Sequence, residues 1–171
     1  FTSLATSLST SATWDPGLGV ITELRDFNNQ ATRILYDGLA RVSSLFKPGC
    51  AEAVVTYEYR LAGDFGRAYS EVVTRANEWC YDGEPRDVGT SLESHSFVDG
   101  LGRERMALAE ADTTHGDAAA WVRAKLVEFD AKGGAMRAHQ PDFRETAAFD
   151  LTPPTPLRFS STRYDAFGRE V

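Results

Sequence analysis

Apolar and polar residues alternate along most of this chain with a period of two. In AVVTYEYR (residues 53–60) Val55, Tyr57 and Tyr59 fall on one face, and Val54, Thr56, Glu58 and Arg60 fall on the other. Such alternation, written in β-branched and aromatic residues, predicts a half-buried β-strand. The same beat, less regular, predicts strands over 20–25, 31–37, 41–46, 70–76, 94–99, 103–111, 120–130, 134–140 and 157–165. Helical spacing is scarce. ALAEAD (107–112) and ETAAFDL (145–151) carry helix-tolerant residues but are assigned to strand or loop. The gaps DFNN (26–29), KPG (47–49), DGLG (99–102), DAKGG (130–134) and DAFG (165–168) combine Asp, Asn, Gly and Pro. These residues stabilise reversals through side-chain bonds to the backbone, fixed φ or tolerance of positive φ. Links this short make hairpins. Longer gaps fall at 81–93 and 112–120, and 150–156 is stiffened by prolines. The predicted fold class is all-β, built of stacked antiparallel β-hairpins.

One phrase recurs: YDGLAR at 36–41, VDGLGR at 98–103 and YDAFGR at 164–169, with a degenerate copy, FDAKGG, at 129–134 that lacks the Arg. The Asp carboxylate is suited to accept N–H bonds from the next two residues as an Asx-turn, the Gly to take the left-handed conformation, and the Arg to begin the return strand and pair with an Asp of its own or the adjacent hairpin. The preceding aromatic or aliphatic residue supplies apolar surface to one sheet face. Asp37, Asp99, Asp130 and Asp165 are spaced by 62, 31 and 35 residues (99 − 37, 130 − 99, 165 − 130). A shorter beat of 11 residues links Asp15, Asp26 and Asp37 (26 − 15, 37 − 26). Periodicity of this kind marks an architecture of stacked units, because one hairpin cannot bury its own face. A catalytic residue is usually needed once, so a repeated phrase points to scaffold.

Composition narrows the picture. The 171 residues are 42% hydrophobic, enough for a real core, and the net charge is −7 with basic residues spread along the chain. Neither a nucleic-acid groove nor an anionic-membrane patch is indicated, and no run approaches the ~18 apolar residues of a membrane span. FTSLATSLSTSATWDPG at one end and RYDAFGREV at the other read as cut ends, so the expectation is one segment, residues 1–171, of a much larger polypeptide. Cys50 and Cys80 sit in unlike contexts without a CxxC. Two buried free thiols are expected, with a Cys50–Cys80 disulfide the lesser alternative.

Candidate chemistry is thin. Ser94, His95, Ser96 and Asp99 lie on one strand, where neighbours point to opposite faces, so a nucleophilic triad is not expected. His95, His115 and His139 do not complete a zinc site, and His115 with Asp117 reads as a polar loop. GLGRER (100–105) resembles a phosphate loop but opens no helix. The acidic neighbours Glu23 with Asp26 and Glu110 with Asp112 read as solvated faces. WDPGLG (14–19) fits a repeat turn better than a self-cleaving motif. Trp14, Trp79, Trp121 and the tyrosines fit cross-strand packing better than a sugar platform. No catalytic residue, cofactor or metal is expected.

GVITELRDFNNQATRILYDGLARV resembles the YD repeat of the Rhs proteins and of the insecticidal toxin complex B and C subunits. HSFVDGLGRERMALAEAD, WVRAKLVEFDAKGGAMRAHQPDF and LRFSSTRYDAFGREV resemble the shell-forming part of the toxin complex (Tc) B subunit and its SpvB-like relatives. The resemblance runs from about residue 14 to 171, with Ala40 where Gly is usual, Gly134 where Arg is usual, and a poor match over 60–93. It implies a β-sheet that spirals into a hollow shell around a toxic effector domain, and a secreted, extracellular virulence protein of bacterial origin. The implied partners are the rest of the shell or a C-type shell subunit, the enclosed effector, and a translocation pore subunit. On this reading Tyr36, Asp37, Arg41, Asp99, Gly102, Arg103, Phe129, Asp130, Gly133, Tyr164, Asp165, Gly168 and Arg169 are structural repeat residues and the segment is not an enzyme. An extracellular carbohydrate- or receptor-binding module is the alternative, and a hydrolytic effector domain ranks third.

Overall fold

The structure is a computed structural model that describes residues 8–65, 68–77, 91–156 and 158–171. It is all-β: among the described residues there are twelve strands, with one helical turn and one 3-10 turn beside them. The chain forms two compact units, Phe1–Tyr57 with Arg75–Ser91, and Glu58–Thr74 with Leu92–Val171.

In unit 1, β1 (Ser11–Asp15), β2 (Val20–Arg25), β3 (Ala31–Tyr36), β4 (Val42–Phe46) and the start of β5 (Val55–Arg60) form an antiparallel meander in chain order. Short turns dictate this, since a link of a few residues can only return a strand beside its predecessor. None of the residues of β1 to β4 is fully buried. Cys50, in the link between β4 and β5, is buried and disulfide-bonded. That overturns the expectation of free thiols at this position. Cys80 lies outside the described residues, as does most of the 81–93 gap. The strand expected over 70–76 is β6 (Ser70–Asn77), whose end donates from the Asn77 N–H and side chain to the carbonyls of Val54 and Ala53.

Unit 2 carries a proper core. β7 (Ser91–Val98), β8 (Glu104–Glu110) and β9 (Trp121–Phe129) are consecutive antiparallel neighbours. β9 then pairs along its far side with β10 (Ala135–His139) at one end and β11 (Asp142–Arg144) at the other, and β10 takes β12 (Phe159–Ser161). The period-two pattern sends His95, Phe97, Met106, Leu108 and Leu126 to one buried face. Ser94 and Ser96, set opposite Ala109 and Ala107, lie on the other. Phe97, Met106 and Leu108 are 1%, 0% and 2% exposed and pack with Tyr69, Trp121, Ala147, Phe149 and Leu151. Burying side chains of this size stabilises by about 1.5–3 kcal/mol each. The segment 145–151 is irregular chain laid over this core, and Phe149 stacks on Tyr69 with ring centroids 3.9 Å apart. ALAEAD begins as strand β8, as the surrounding pattern requires.

A buried arginine fastens the covering segment. Arg123, on β9, donates from Nε and Nη2 to the two oxygens of Asp142 at 2.7 and 3.0 Å, and from Nη1 to the carbonyls of Asp150 and Thr152 at 2.8 and 3.0 Å. Arg144 adds a bond from Nη2 to the Thr152 carbonyl and an ion pair with Asp150, both at 3.0 Å. The planar guanidinium fork suits such bidentate work, and a charge this deep is tolerable only when paired and hydrogen-bonded.

Candidate functional site

The recurring aspartates build one local structure. Asp37 Oδ1 accepts the N–H groups of Leu39 and Arg41 at 2.9 and 3.0 Å, and its Oδ2 accepts Arg41 Nε and Nη2 at 2.7 and 2.6 Å. The Asp37 N–H donates to the Arg41 carbonyl and the Ala40 N–H to the Asp37 carbonyl. Ala40 takes φ 59°. This is a three-residue hairpin loop, a type I turn closed by a left-handed residue.

Asp99 repeats the arrangement with Leu101 and Arg103 N–H at 2.9 and 3.0 Å and the Arg103 guanidinium at 2.9 and 2.7 Å, with Gly102 at φ 77°. Asp165 repeats it with Phe167 and Arg169, with Gly168 at φ 79°. Asp130 keeps the backbone half: its Oδ1 accepts Lys132 and Gly134 N–H at 2.9 and 2.8 Å, with Gly133 at φ 90°. Asp26 does likewise with Asn28 and Gln30, and Asn29 takes φ 61°. Asp15 caps a turn one residue longer, with Gly19 in the left-handed position. Apart from Asp15, which takes the second and third N–H, the bonds come from the second and fourth N–H after the Asp rather than from the next two residues as expected from sequence. Each Arg pairs with its own Asp.

In unit 2 three of these turns abut. Arg103 lays its guanidinium over the Phe129 ring, 4.4 Å from the centroid. A Cβ at Gly133 would stand 3.0 Å from Arg103 Nη1, and one at Gly134 would stand 2.7 and 2.8 Å from two ring carbons of Tyr164. Lys132 Nζ donates to the Ala166 carbonyl at 3.0 Å. The missing arginine of the degenerate copy thus has a steric reason, because the Tyr164 ring of the next phrase occupies that space. In the two copies where a tyrosine precedes the Asp, it also reaches an adjacent strand: Tyr36 Oη donates to the Ile21 carbonyl at 2.8 Å and Tyr164 Oη to the Ala135 carbonyl at 3.4 Å.

Electrostatics fit a structural role better than a catalytic one. The Arg103 guanidinium holds the Asp99 carboxyl at about 2. The Arg41 side chain lowers Asp37, and the N–H and then the guanidinium of Arg169 lower Asp165. A carboxylate with both oxygens occupied and a depressed pKa is a poor general base and has little capacity left for a ligand.

Elsewhere, His95 is held between Glu71 Oε1 at 2.7 Å and Glu93 Oε1 at 2.9 Å, away from Ser94 and Ser96. His115 and Asp117 sit in an exposed loop organised by Asp112, and His139 Nε2 contacts Glu128 at 2.7 Å. Among the described residues no group of three His, Cys, Asp or Glu side chains is placed to hold a metal ion, and no helix is long and apolar enough to cross a membrane. Sequence reasoning missed the Arg123, Asp142 and Arg144 latch. Its one visible signal was an arginine at an inward position of an apolar strand.

These features define a class of fold, antiparallel hairpins chained by aspartate-centred turns. Solved structures share it. The chain superposes on a structure described as TcdB2-TccC3 with TM-score 0.76 and 21% identity over 95% of this chain and 10% of that one. It also matches TcdB2-TccC3-Cdc42 with TM-score 0.73 and 17% identity over 95% of this chain and 12% of that one. A third match, TcdB2-TccC3 without its hypervariable C-terminal region, has TM-score 0.69 and 15% identity. This chain therefore has the fold of about a tenth of the first of those chains. No family model matches the sequence, and no curated protein matches it closely.

Proposed function

We propose that the chain is a non-enzymatic wall segment of a bacterial toxin-complex shell, which encloses a cytotoxic effector domain and helps to deliver it. The observation that carries this reading is the set of repeated turns whose conspicuous charged residues are consumed in bonds to one another and to the backbone. Each turn costs few residues and hands the chain on to a further hairpin, which suits a wall built by extension. The fold shared with TcdB2-TccC3 supports the same reading. On this account residues 1–171 are one stretch of a longer secreted polypeptide, and the thirteen repeat residues from Tyr36 to Arg169 named above are structural. The remaining shell or a C-type subunit adjoins it, and a pore subunit receives the effector.

The face of β7 and β8 opposite the core offers a lining of small residues, Ser94, Ser96, Ala107 and Ala109, whose charged feature, Glu104, is bonded to Ser96 Oγ and paired with Lys125. Protease challenge tests the proposal. The intact natural polypeptide is expressed with its candidate effector, and the effector should resist digestion until denaturant opens the shell. Digestion at the rate of the free effector would contradict it. One observation favours the binding-module alternative: Trp14 is 59% exposed on β1. Glycan binding abolished by Trp14→Ala would move the assignment there.

A further inference from the structure

The meander of unit 1 places two free cations in one cleft. Because β2 to β5 pair in chain order, the turn at 26–30 and the link at 47–51 leave from the same end of the sheet. An open cleft of about 800 Å³ lies there. Asn29, Gln30 and Arg33 line it from the β2–β3 hairpin, and Lys47 with residues 48–51 from the link after β4. Its volume falls in the range of small-molecule sites.

Most arginines among the described residues are consumed in ion pairs. Arg33 and Lys47 are not: among the described residues neither has an acidic partner, and no carboxylate lines the cleft. Glu23 stands opposite Arg33 in register but pairs with Arg25 at 2.7 Å. Asp26 commits its Oδ1 to the N–H groups of Asn28 and Gln30, both at 2.9 Å. A solitary surface cation is simply solvated, whereas two of one sign in a concave wall focus their field and attract an anion. On a chain of net charge −7 such a pair is the exception.

Arg33 is also held in place. It stands opposite Phe46, and its guanidinium lies over that ring, 5.1 Å from the centroid. The planar fork is thereby set for bidentate bonding to an oxyanion. Asn29 Oδ1 takes Arg25 Nη1 at 3.5 Å, which leaves the Asn29 NH2 to donate. The Gln30 carboxamide can donate and accept, so the two suit hydroxyl groups.

We propose that this cleft binds a phosphate monoester of a polyhydroxylated small molecule, of the sugar phosphate class. The two cations match the dianion, Arg33 as a fork and Lys47 as a point charge, and the carboxamides match the hydroxyls. A peptide carboxylate fits less well. It carries one charge, and the cleft is walled by turns and by β3, which is paired on both sides and offers no open edge to a peptide backbone. The inference does not depend on whether the chain forms part of a wall.

Titration calorimetry of the whole chain tests this at low ionic strength, where such contacts are least screened. The ligands are glucose 6-phosphate, inorganic phosphate and glucose. The sugar phosphate should bind more tightly than inorganic phosphate, and glucose should not bind. Arg33→Gln and Lys47→Gln should each weaken binding of the sugar phosphate about 10-fold or more, the loss of one bond to a charged group. Lys47 is exposed, so its variant separates charge from stability. Lys132→Gln, which removes a cation from unit 2, should leave binding unchanged. Absence of sugar phosphate binding, or binding unaltered by Arg33→Gln and Lys47→Gln, would overturn the proposal. Inorganic phosphate bound as tightly as the sugar phosphate would overturn the part given to the carboxamides.

Discussion

Replacing Gly134 by alanine should destabilise unit 2, and Tyr164 should be the reason. Gly134 does not have a left-handed φ, so alanine carries no backbone penalty there. By restricting the unfolded chain alone it would stabilise by about 0.4–1 kcal/mol. The added Cβ would, however, stand 2.7 and 2.8 Å from two carbons of the Tyr164 ring and 3.2 Å from Asp130 Oδ2. Carbon pairs settle at roughly 3.5–4.0 Å, so the ring must retreat by about 1 Å. Its hydroxyl bond to the Ala135 carbonyl and the bridge between Tyr164 and Glu170 resist that movement. Overpacking of this kind costs about 1–3 kcal/mol, which exceeds the entropic gain, and the net loss is expected near 1–2 kcal/mol. Urea unfolding of a double-mutant cycle separates the two effects. In a Tyr164→Ala background, Gly134→Ala should become neutral or stabilising, giving a coupling of about 1–3 kcal/mol. An equal penalty in both backgrounds, or none with Tyr164 present, would refute the steric explanation for the glycine.

Three further outcomes are expected. Gly102→Val should cost about 1–3 kcal/mol, because Gly102 has φ 77°, whereas Ala40→Gly should stabilise by up to about 1 kcal/mol by relieving φ 59°. Thermal melts showing the same sign for both would undo the turn assignment. Arg123→Met should cost about 3 kcal/mol, since it strips the donors from Asp142 and the carbonyls of Asp150 and Thr152. Exchange over 145–151 should rise first, and an unchanged rate there would show that the latch does not fasten this segment. The turns should also be acid-sensitive. The Asp99 carboxyl sits at about 2 when folded, below its ordinary 3.8, so its ionised form favours the folded turn above about pH 4, and that contribution is lost as pH falls toward 2. Asp37 and Asp165 shift in the same direction. Amide protection at Leu101 and Arg103 should fall across that range, and equal protection at pH 5 and pH 2 would contradict the assignment.

The strands legible in the sequence were those with both alternation and a turn signal at their ends. Residues 20–25 are strand β2, and the pattern over 120–130 places β9 to within a residue at each end. β1 was not legible, because in SATWD only Ala12 and Trp14 are apolar, the stretch runs on from a Ser/Thr-rich opening, and pairing with β2 is what makes it a strand. β11 was invisible for a similar reason. Three residues after Pro141 carry no periodicity, and their conformation comes from pairing with Trp121 to Arg123. The turn grammar was readable because each copy is local, an Asp bonding the second and fourth N–H beyond it. The latch was not, because Arg123 and Asp142 lie 19 residues apart, and nothing in the spacing marks them as partners. Gly134 looked like a lapse in the repeat until the neighbouring tyrosine was in place. The disulfide at Cys50 also went against the expectation from chain length, which takes no account of how little core surrounds it.

The central claim is that these hairpins form part of a closed wall around a guest, and electron microscopy of the intact natural polypeptide with its candidate effector tests it most directly. The account predicts a hollow particle whose wall contains this hairpin series, with unstructured density enclosed. A solid or open particle, with the effector folded outside it, would contradict the account.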